Sequence, residues 1–452
     1  MEIPGPERRA DGGLGAIADA GGLHLYQLRL HEEYGPVVRF QLPGADTAVS
    51  IADPVLLEAT AHLDERPERL FAFLEPLFET GNPQVMPAGE HAPWRRLLLS
   101  VPAGRASHEQ RLPHFTALTV SLADRWAEQA GDAEGDDGRP VGLQKDLTAL
   151  SLRMICAYAL GGAEITDPER VVSAFEDILT AHLGRLYRTP GPVTPEEAAE
   201  RGREGERAEA ALVLLRRTVD RVIAAHRGGR GGRSDVVGAL VEAGEEPGRI
   251  RDTVMVTMLA AHHTTGVAVS WALYLLSRHP RTTERVTEEL DRVLGNRAAP
   301  GYADLRRLVQ LEMALKEATR LCPPGPYGAR RTDSALVVGA YEIPAGATVF
   351  YPFWAVHMNP EYWPEPDAFR PERFTPQESA ARPRLAHIPF GIGPRACEGA
   401  RLAMVEAMLI LAVLLKRFRF RLVPGHEVVP VERFVLWAAD DIRMTVGLRN
   451  AV

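Results

Sequence analysis

Cys397 sits in the stretch Phe390-Gly391-Ile392-Gly393-Pro394-Arg395-Ala396-Cys397-Glu398-Gly399, and an apolar segment, Ala400 to Leu415, follows at once. Gly391 and Gly393 let the backbone take turns that a side chain would forbid and approach a flat ligand closely. Amides near a helix N-terminus favour a thiolate, the form of cysteine that binds metal. A cysteine so placed can act as the axial thiolate of a haem, donating electron density that favours O–O cleavage. Two other readings compete. Gly391-x-Gly393-x-x-Ala396 imitates a dinucleotide fingerprint, but Pro394 lies inside it and no acidic residue closes a βαβ unit downstream. A lone cysteine can also be plain core.

A second cluster with chemical potential is His262-His263-Thr264-Thr265, four polar residues inside an otherwise apolar run from Asp252 to Arg278. The run predicts one long buried helix. A buried polar group without a partner costs roughly 1–3 kcal/mol. The threonines can bond a carbonyl one turn back, or the cluster can face a reacting ligand. Histidine titrates near neutrality and can relay protons. Elsewhere Glu317 and Arg320 share a helix face at i and i+3. His91 and Arg95 flank Trp94 at the start of another apolar helix, where a guanidinium fork can grip a carboxylate.

Taken together these segments resemble the cytochrome P-450 family. Phe390, Gly391, Gly393, Arg395, Cys397 and Gly399 stand at the spacing of its haem-binding signature, and other landmarks recur in order from about Glu32 to Arg443. The resemblance implies haem b (iron protoporphyrin IX) with Cys397 as the axial iron ligand, and Phe390 and Gly391 against the cofactor. It implies His91, Arg95, Arg330 and Arg395 on the haem propionates. Ala260-Ala261-His262-His263-Thr264 is similar to the family's (Ala/Gly)-Gly-x-(Asp/Glu)-Thr motif, which makes Thr264 the alcohol beside oxygen. Here Ala261 replaces a glycine and His263 replaces the acid, leaving His263 as the candidate proton relay. Glu317, Arg320 and Arg373 match a buried structural triad. The substrate pocket would draw on Met86, Val256, Ala260, Tyr327 and Leu436.

The elements that must position these residues are mostly helical. Helices are predicted at Leu23 to Tyr34, Val55 to His62, His91 to Leu99, His114 to Ala130, Leu147 to Leu160, Asp167 to Leu186 and Leu311 to Leu321. Thr194-Pro195-Glu196-Glu197 restarts a helix after the Arg188 to Pro195 break, with an N-cap, a proline at the first position and acids in the first turn. Strands are predicted at Val37 to Leu42, Ala48 to Ala52, Ala335 to Val338, Phe418 to Val423, Phe434 to Leu436 and Ile442 to Leu448. Gly228 to Ser234 reads as a flexible loop. Residues 1–22, polar and rich in Gly and Pro, read as a flexible lead-in, and 23–452 as one large, mostly α domain with a smaller β region.

At 452 residues, 45% hydrophobic and 25% charged, the chain has material for a large core. A net charge of -8 argues against nucleic acid as a partner. Three cysteines make no disulfide framework, and no apolar run suggests a membrane anchor, so a cytoplasmic protein is expected. The resemblance then implies a haem-thiolate monooxygenase that inserts one atom of O2 into an apolar small molecule. Electrons would come from a ferredoxin and its NAD(P)H-dependent reductase, and the setting would be bacterial specialised metabolism. A peroxide-using or rearranging haem-thiolate enzyme, and a haem-binding protein without turnover, are the alternatives.

Overall fold

The strand Val37–Leu42 follows the helix Leu23–Tyr34 through Gly35, whose φ of 94° turns the chain in a way other residues resist. It pairs antiparallel with Ala45–Ile51, which pairs parallel with Thr348–Tyr351, itself antiparallel to Gly328–Arg331. This four-stranded sheet buries Val37, Val49, Ile51 and Val349 completely, in a cluster that also holds Ile3 and Ile392. Three smaller sheets complete the β part: Pro140–Gly142 with Arg443–Leu448 and Phe418–Leu422, and the hairpins 336–343 and 430–438.

The computed structural model describes residues 1–101, 104–131, 140–161, 167–187, 193–229 and 235–449, and is mostly helical with small sheets. Its contacts resolve into two compact units. One comprises residues 1–67, 108–150 and 264–452; the other comprises 68–107 and 151–263.

In the first unit the helices Thr264–Arg278, Val309–Leu321 and Ala400–Arg417 pack on one another. The first and last are buried on nearly all sides, as continuous apolar runs require. Gly266 brings backbones close, since a Cβ there would lie 2.6 Å from the Leu147 carbonyl carbon. Residues 1–22, expected to be loose, carry the helix Leu14–Ala20, bury Ile3, and tie Pro4 O to Arg39 N at 2.8 Å.

In the second unit Pro168–Tyr187 packs against Pro195–Arg227, with Val236–Glu242 and Pro247–His262 beside the latter. The expected N-cap is present: Thr194 and Glu197 form a reciprocal capping box ahead of Pro195. The break at 188–192 and the glycine-rich stretch 230–234 lie outside the described residues.

Two expectations are corrected. The helix expected from His114 begins at Arg105 and carries Pro113 inside it. The single helix expected over 252–278 is two, Pro247–His262 and Thr264–Arg278, parted at His263. The ladder fails there for a local reason: the Ser151 hydroxyl donates to the Ala261 carbonyl at 2.9 Å, the acceptor that the amide of Thr265 would otherwise use. Among the described residues no helix is long and apolar enough to cross a membrane.

Candidate active site

The loop before the helix Ala400–Arg417 closes on itself. The Cys397 amide donates to the Phe390 carbonyl at 2.8 Å, and those of Gly391 and Ala396 to Ile388 and Gly393 at 3.0 Å each. Gly391 and Gly393 have φ of 73° and 68°, left-handed values that glycine takes without strain. At Gly393 no other residue fits, because a Cβ would lie 1.9 Å from the Ala61 carbonyl oxygen. The loop thus holds Cys397 three residues ahead of a helix N-terminus. Cys397 is exposed, whereas burial pushes the thiols of Cys156 and Cys322 up to about 12. Of the three, Cys397 alone is exposed.

Three guanidiniums gather on this side of the first unit. Arg395 is buried and donates through Nε to the carbonyl and carboxylate of Asp64. Arg330, 4% exposed, donates to Ala329 O at 2.8 Å and to Ile392 O of the cysteine loop at 3.4 Å, and lies over the Tyr351 ring. Its Nε has no partner among the described residues. Burial, with some repulsion from Arg395, lowers Arg330 to about 10. Burial and repulsion from Arg330 and Arg395 lower Arg66 to about 9. Asp64, bonded to Arg395, and Glu398 offset this charge in part, and three guanidiniums against two carboxylates leave a site for further negative charge. Arg66 was missed in the sequence, where it stands in a mixed, turn-rich tract with no local pattern to mark it.

Thr264 opens its helix and is half-buried; His263, also half-buried, caps the helix before it. Burial holds the His263 imidazole down at about 4, so it is neutral at pH 7. The neighbouring His262 ring lies 3.9 Å away and meets Phe175 edge-on at 5.9 Å. Its two nitrogens have no hydrogen-bond partner among the described residues, and burial drives it well below the ordinary histidine range. A pair of neutral imidazoles can orient hydrogen bonds. It does not store a proton at neutrality.

One buried acid was passed over in the sequence reading. Glu406 is 3% exposed in the middle of the apolar helix Ala400–Arg417. Burial pushes its carboxyl up to about 8 against a weak opposing hydrogen bond from Thr265, whose hydroxyl lies 3.4 Å from Oε2. One acid inside sixteen residues of apolar sequence was the available signal.

Glu317, Arg320 and Arg373 come together as expected. Arg320 Nε and Nη2 donate to the two carboxylate oxygens of Glu317 at 2.8 and 2.9 Å, and Arg373 Nε donates at 3.2 Å. His91 is buried and Arg95 half-buried, one turn apart on the helix Ala88–Leu99, with Trp94 Nε1 bonded to Thr253. Of the pocket residues, Val256 is buried and Ala260 exposed one turn on, while Met86 Sδ accepts from Arg249. One pocket assignment needs correction: Leu436 is fully buried, its amide on Pro324 O and its carbonyl on Trp271 Nε1, so it is scaffold. Tyr327 is half-buried, and its hydroxyl donates to Glu432, which also accepts from His24 at 2.8 Å.

Comparison with known proteins agrees with this architecture. The sequence matches the family described as Cytochrome P450 over residues 12–446. It is 32% identical over 314 residues to cyclooctatin synthase of Streptomyces melanosporofaciens, covering 68% of this chain and 67% of that one. It is 30% identical over 328 residues to cyclooctat-9-en-7-ol 5-monooxygenase of the same organism, covering 69% and 68%. The crystal structure of the cytochrome P450DA heme domain superposes with a TM-score of 0.85 at 24% identity, over 99% of this chain and 98% of that one, a likeness of fold. The chain belongs to the cytochrome P450 family.

It is therefore a monooxygenase that carries haem b and works with O2 and a redox partner. The residues present fit that cofactor. Haem b brings two carboxylates, and the buried Arg330 and Arg395 with the half-buried Arg66 supply positive charge beside the cysteine loop.

Proposed function

We propose that this chain oxygenates a terpenoid hydrocarbon or alcohol in bacterial specialised metabolism, with Cys397 as the iron-binding thiolate. The observation that carries the reading is the closed loop in which Gly393 presses on Ala61 and leaves Cys397 exposed ahead of a helix. Haem b, when bound, supplies the iron at which O2 is reduced. Arg330, Arg395 and Arg66 hold its carboxylates, with His91 and Arg95 as further candidates. Thr264 offers a hydroxyl toward the reacting oxygen. Val256, Ala260 and Met86 present apolar surface to the substrate, and Glu317, Arg320 and Arg373 brace the protein. A cytoplasmic ferredoxin, reduced by its NAD(P)H-dependent reductase, is the proposed electron source. The substrate class rests on the Streptomyces relatives, one of which is named for oxidising cyclooctat-9-en-7-ol.

The test is a screen of the haem-loaded protein for spectral shifts against cyclic terpene alcohols and hydrocarbons, steroids, macrolide polyketides and aromatic peptides. Product analysis with ferredoxin, reductase and O2 follows. Shifts and oxygenated product confined to the terpenes support the reading, and product from another class alone overturns its substrate part. A second reading, peroxide use, is favoured by one observation: His263 stands where the family carries an acid and is neutral at pH 7. It predicts product with hydrogen peroxide and none with reductant and O2.

A further inference from the structure

Met404 and Met408 stand one turn apart on the helix Ala400–Arg417 and so share a face. At 3.6 residues per turn that face lies roughly 200° around the helix from Glu406, which meets Thr265 on the helix Thr264–Arg278. It turns instead toward the helices Tyr302–Leu305 and Val309–Leu321, which pack on the same element. The three do not close on one another. Met404, Val405, Met408, Leu305 and Phe390 wall a cavity of about 430 Å³, within the range of small-molecule sites, about 300–1,000 Å³. All its walls belong to the first unit. Methionine suits such a wall, because its unbranched thioether adapts to the shape of an apolar guest.

The charged groups that line the cavity do not cancel. Glu312 and Lys316 bond to each other at 2.7 Å and offset one another. Asp304, next to the wall residue Leu305, is taken by Arg297 and Arg307. Arg306 is exposed and has no ion-pair partner among the described residues. His387 adds no charge, since burial, with Lys316 and two arginines nearby, pushes its imidazole down to about 3. Its Nε2 has no partner among the described residues. An apolar space thus opens past one uncommitted guanidinium. Phe390 ties that space to the cysteine loop, because its carbonyl accepts the Cys397 amide at 2.8 Å.

We propose that this cavity is an effector site for an amphipathic carboxylate of the fatty-acid kind. The hydrocarbon chain fills the methionine-lined space, and the carboxylate pairs with Arg306 at its mouth. The charge pattern favours an acid over a neutral alcohol of the same length, because only the acid answers the excess cation. The site is separate from the one that oxygenates substrate. An occupant presses on Phe390, and through it on the loop that holds Cys397, so binding here alters the surroundings of a haem held by that cysteine. By linkage the coupling runs both ways. The binding site itself does not depend on the substrate class or on the iron ligand; the coupling rests on Cys397 as that ligand.

The test uses haem-loaded wild type, Val405→Phe, which extends a ring into the cavity, and Arg306→Gln, a surface change that leaves the walls intact. Decanoate carrying a photoreactive diazirine at its chain end is crosslinked to each protein and the labelled peptides are mapped. Affinities for plain decanoate and for decanol are read by isothermal titration calorimetry. In wild type the label should fall on the segment from Met404 to Met408 or on Phe390. Arg306→Gln should weaken decanoate about threefold, the scale of a solvent-exposed ion pair, and leave decanol within about twofold. Val405→Phe should weaken both at least fivefold and lose the label. Decanoate should also perturb the Soret band of wild type and not that of Val405→Phe. Label confined to other peptides, or Arg306→Gln binding decanoate as tightly as wild type, overturns the proposal. Absent decanoate binding, with ferredoxin-driven reduction slowed in Val405→Phe, assigns the cavity to a side chain of the redox partner and overturns it too. Correct labelling and affinities without any Soret change overturn the coupling through Phe390. Loss of the Cys397 assignment would leave the labelling and the affinities as expected, so the two failures are told apart.

Discussion

Two acid–base pairs on one helix, Val309–Leu321, separate burial from proximity. Glu317 is fully buried and its carboxylate receives Arg320, Arg373 and the Arg370 amide, the last at 2.9 Å. Glu312 and Lys316, at 2.7 Å, are a half-buried, solvent-accessible pair one turn away. Glu317→Gln strands two buried guanidiniums, and breaking a buried pair from one side costs about 3–5 kcal/mol. Unfolding entropy is about 2.1 cal/mol/K per residue, so 452 residues give about 0.95 kcal/mol/K. The melting temperature should therefore fall by roughly 3–5 °C. Glu312→Gln removes an interaction worth at most about 1 kcal/mol and should move it by less than about 1 °C. Differential scanning calorimetry on haem-loaded protein at pH 7 makes the comparison. Equal shifts in the two variants would refute the claim that burial, rather than pairing, gives the Glu317 cluster its weight.

Two further outcomes are expected. Gly393→Ala drives a Cβ into the Ala61 carbonyl at a φ of 68°, so it should purify with haem content at least several-fold below wild type; full haem content would contradict the role given to the loop. Glu406 binds its proton more tightly folded than unfolded, so stability is lost as pH rises from about 4.5 to about 8 and is flat beyond. Between pH 7 and pH 9 wild type should lose about 1.4 kcal/mol relative to Glu406→Gln, about 1.5 °C in paired calorimetric melts.

Much of the scaffold was legible because local signals sufficed. Leu23–Tyr34 and Val37–Leu42 match their predicted bounds, and Thr194-Pro195-Glu196-Glu197 carried its capping box in four residues. Gly328–Arg331 and Thr348–Tyr351 were not read as strands. They are four residues long, and the second is buried throughout, which erases the alternation that marks a half-buried strand. The break at His263 depends on Ser151, a hydroxyl 110 residues away, and no window along the sequence contains both. Leu436 was expected in the pocket, but the Trp271 indole that holds its carbonyl is distant in sequence. Arg66 gains meaning only from Arg330 and Arg395, which the fold brings to it. Glu406 differs: it was visible as one acid in an apolar helix, and its contact with Thr265 supplies the reason.

The account turns on Cys397, and the most direct measurement is the absorption spectrum of the dithionite-reduced protein under carbon monoxide. Wild type, Cys156→Ser and Cys322→Ser should show the red-shifted Soret band of a thiolate-ligated haem, because burial pushes both of those thiols up to about 12 and away from the thiolate form. Cys397→Ser should bind haem and lose that band. The band persisting in Cys397→Ser, or vanishing in either of the other two, would contradict the assignment of Cys397 as the iron ligand.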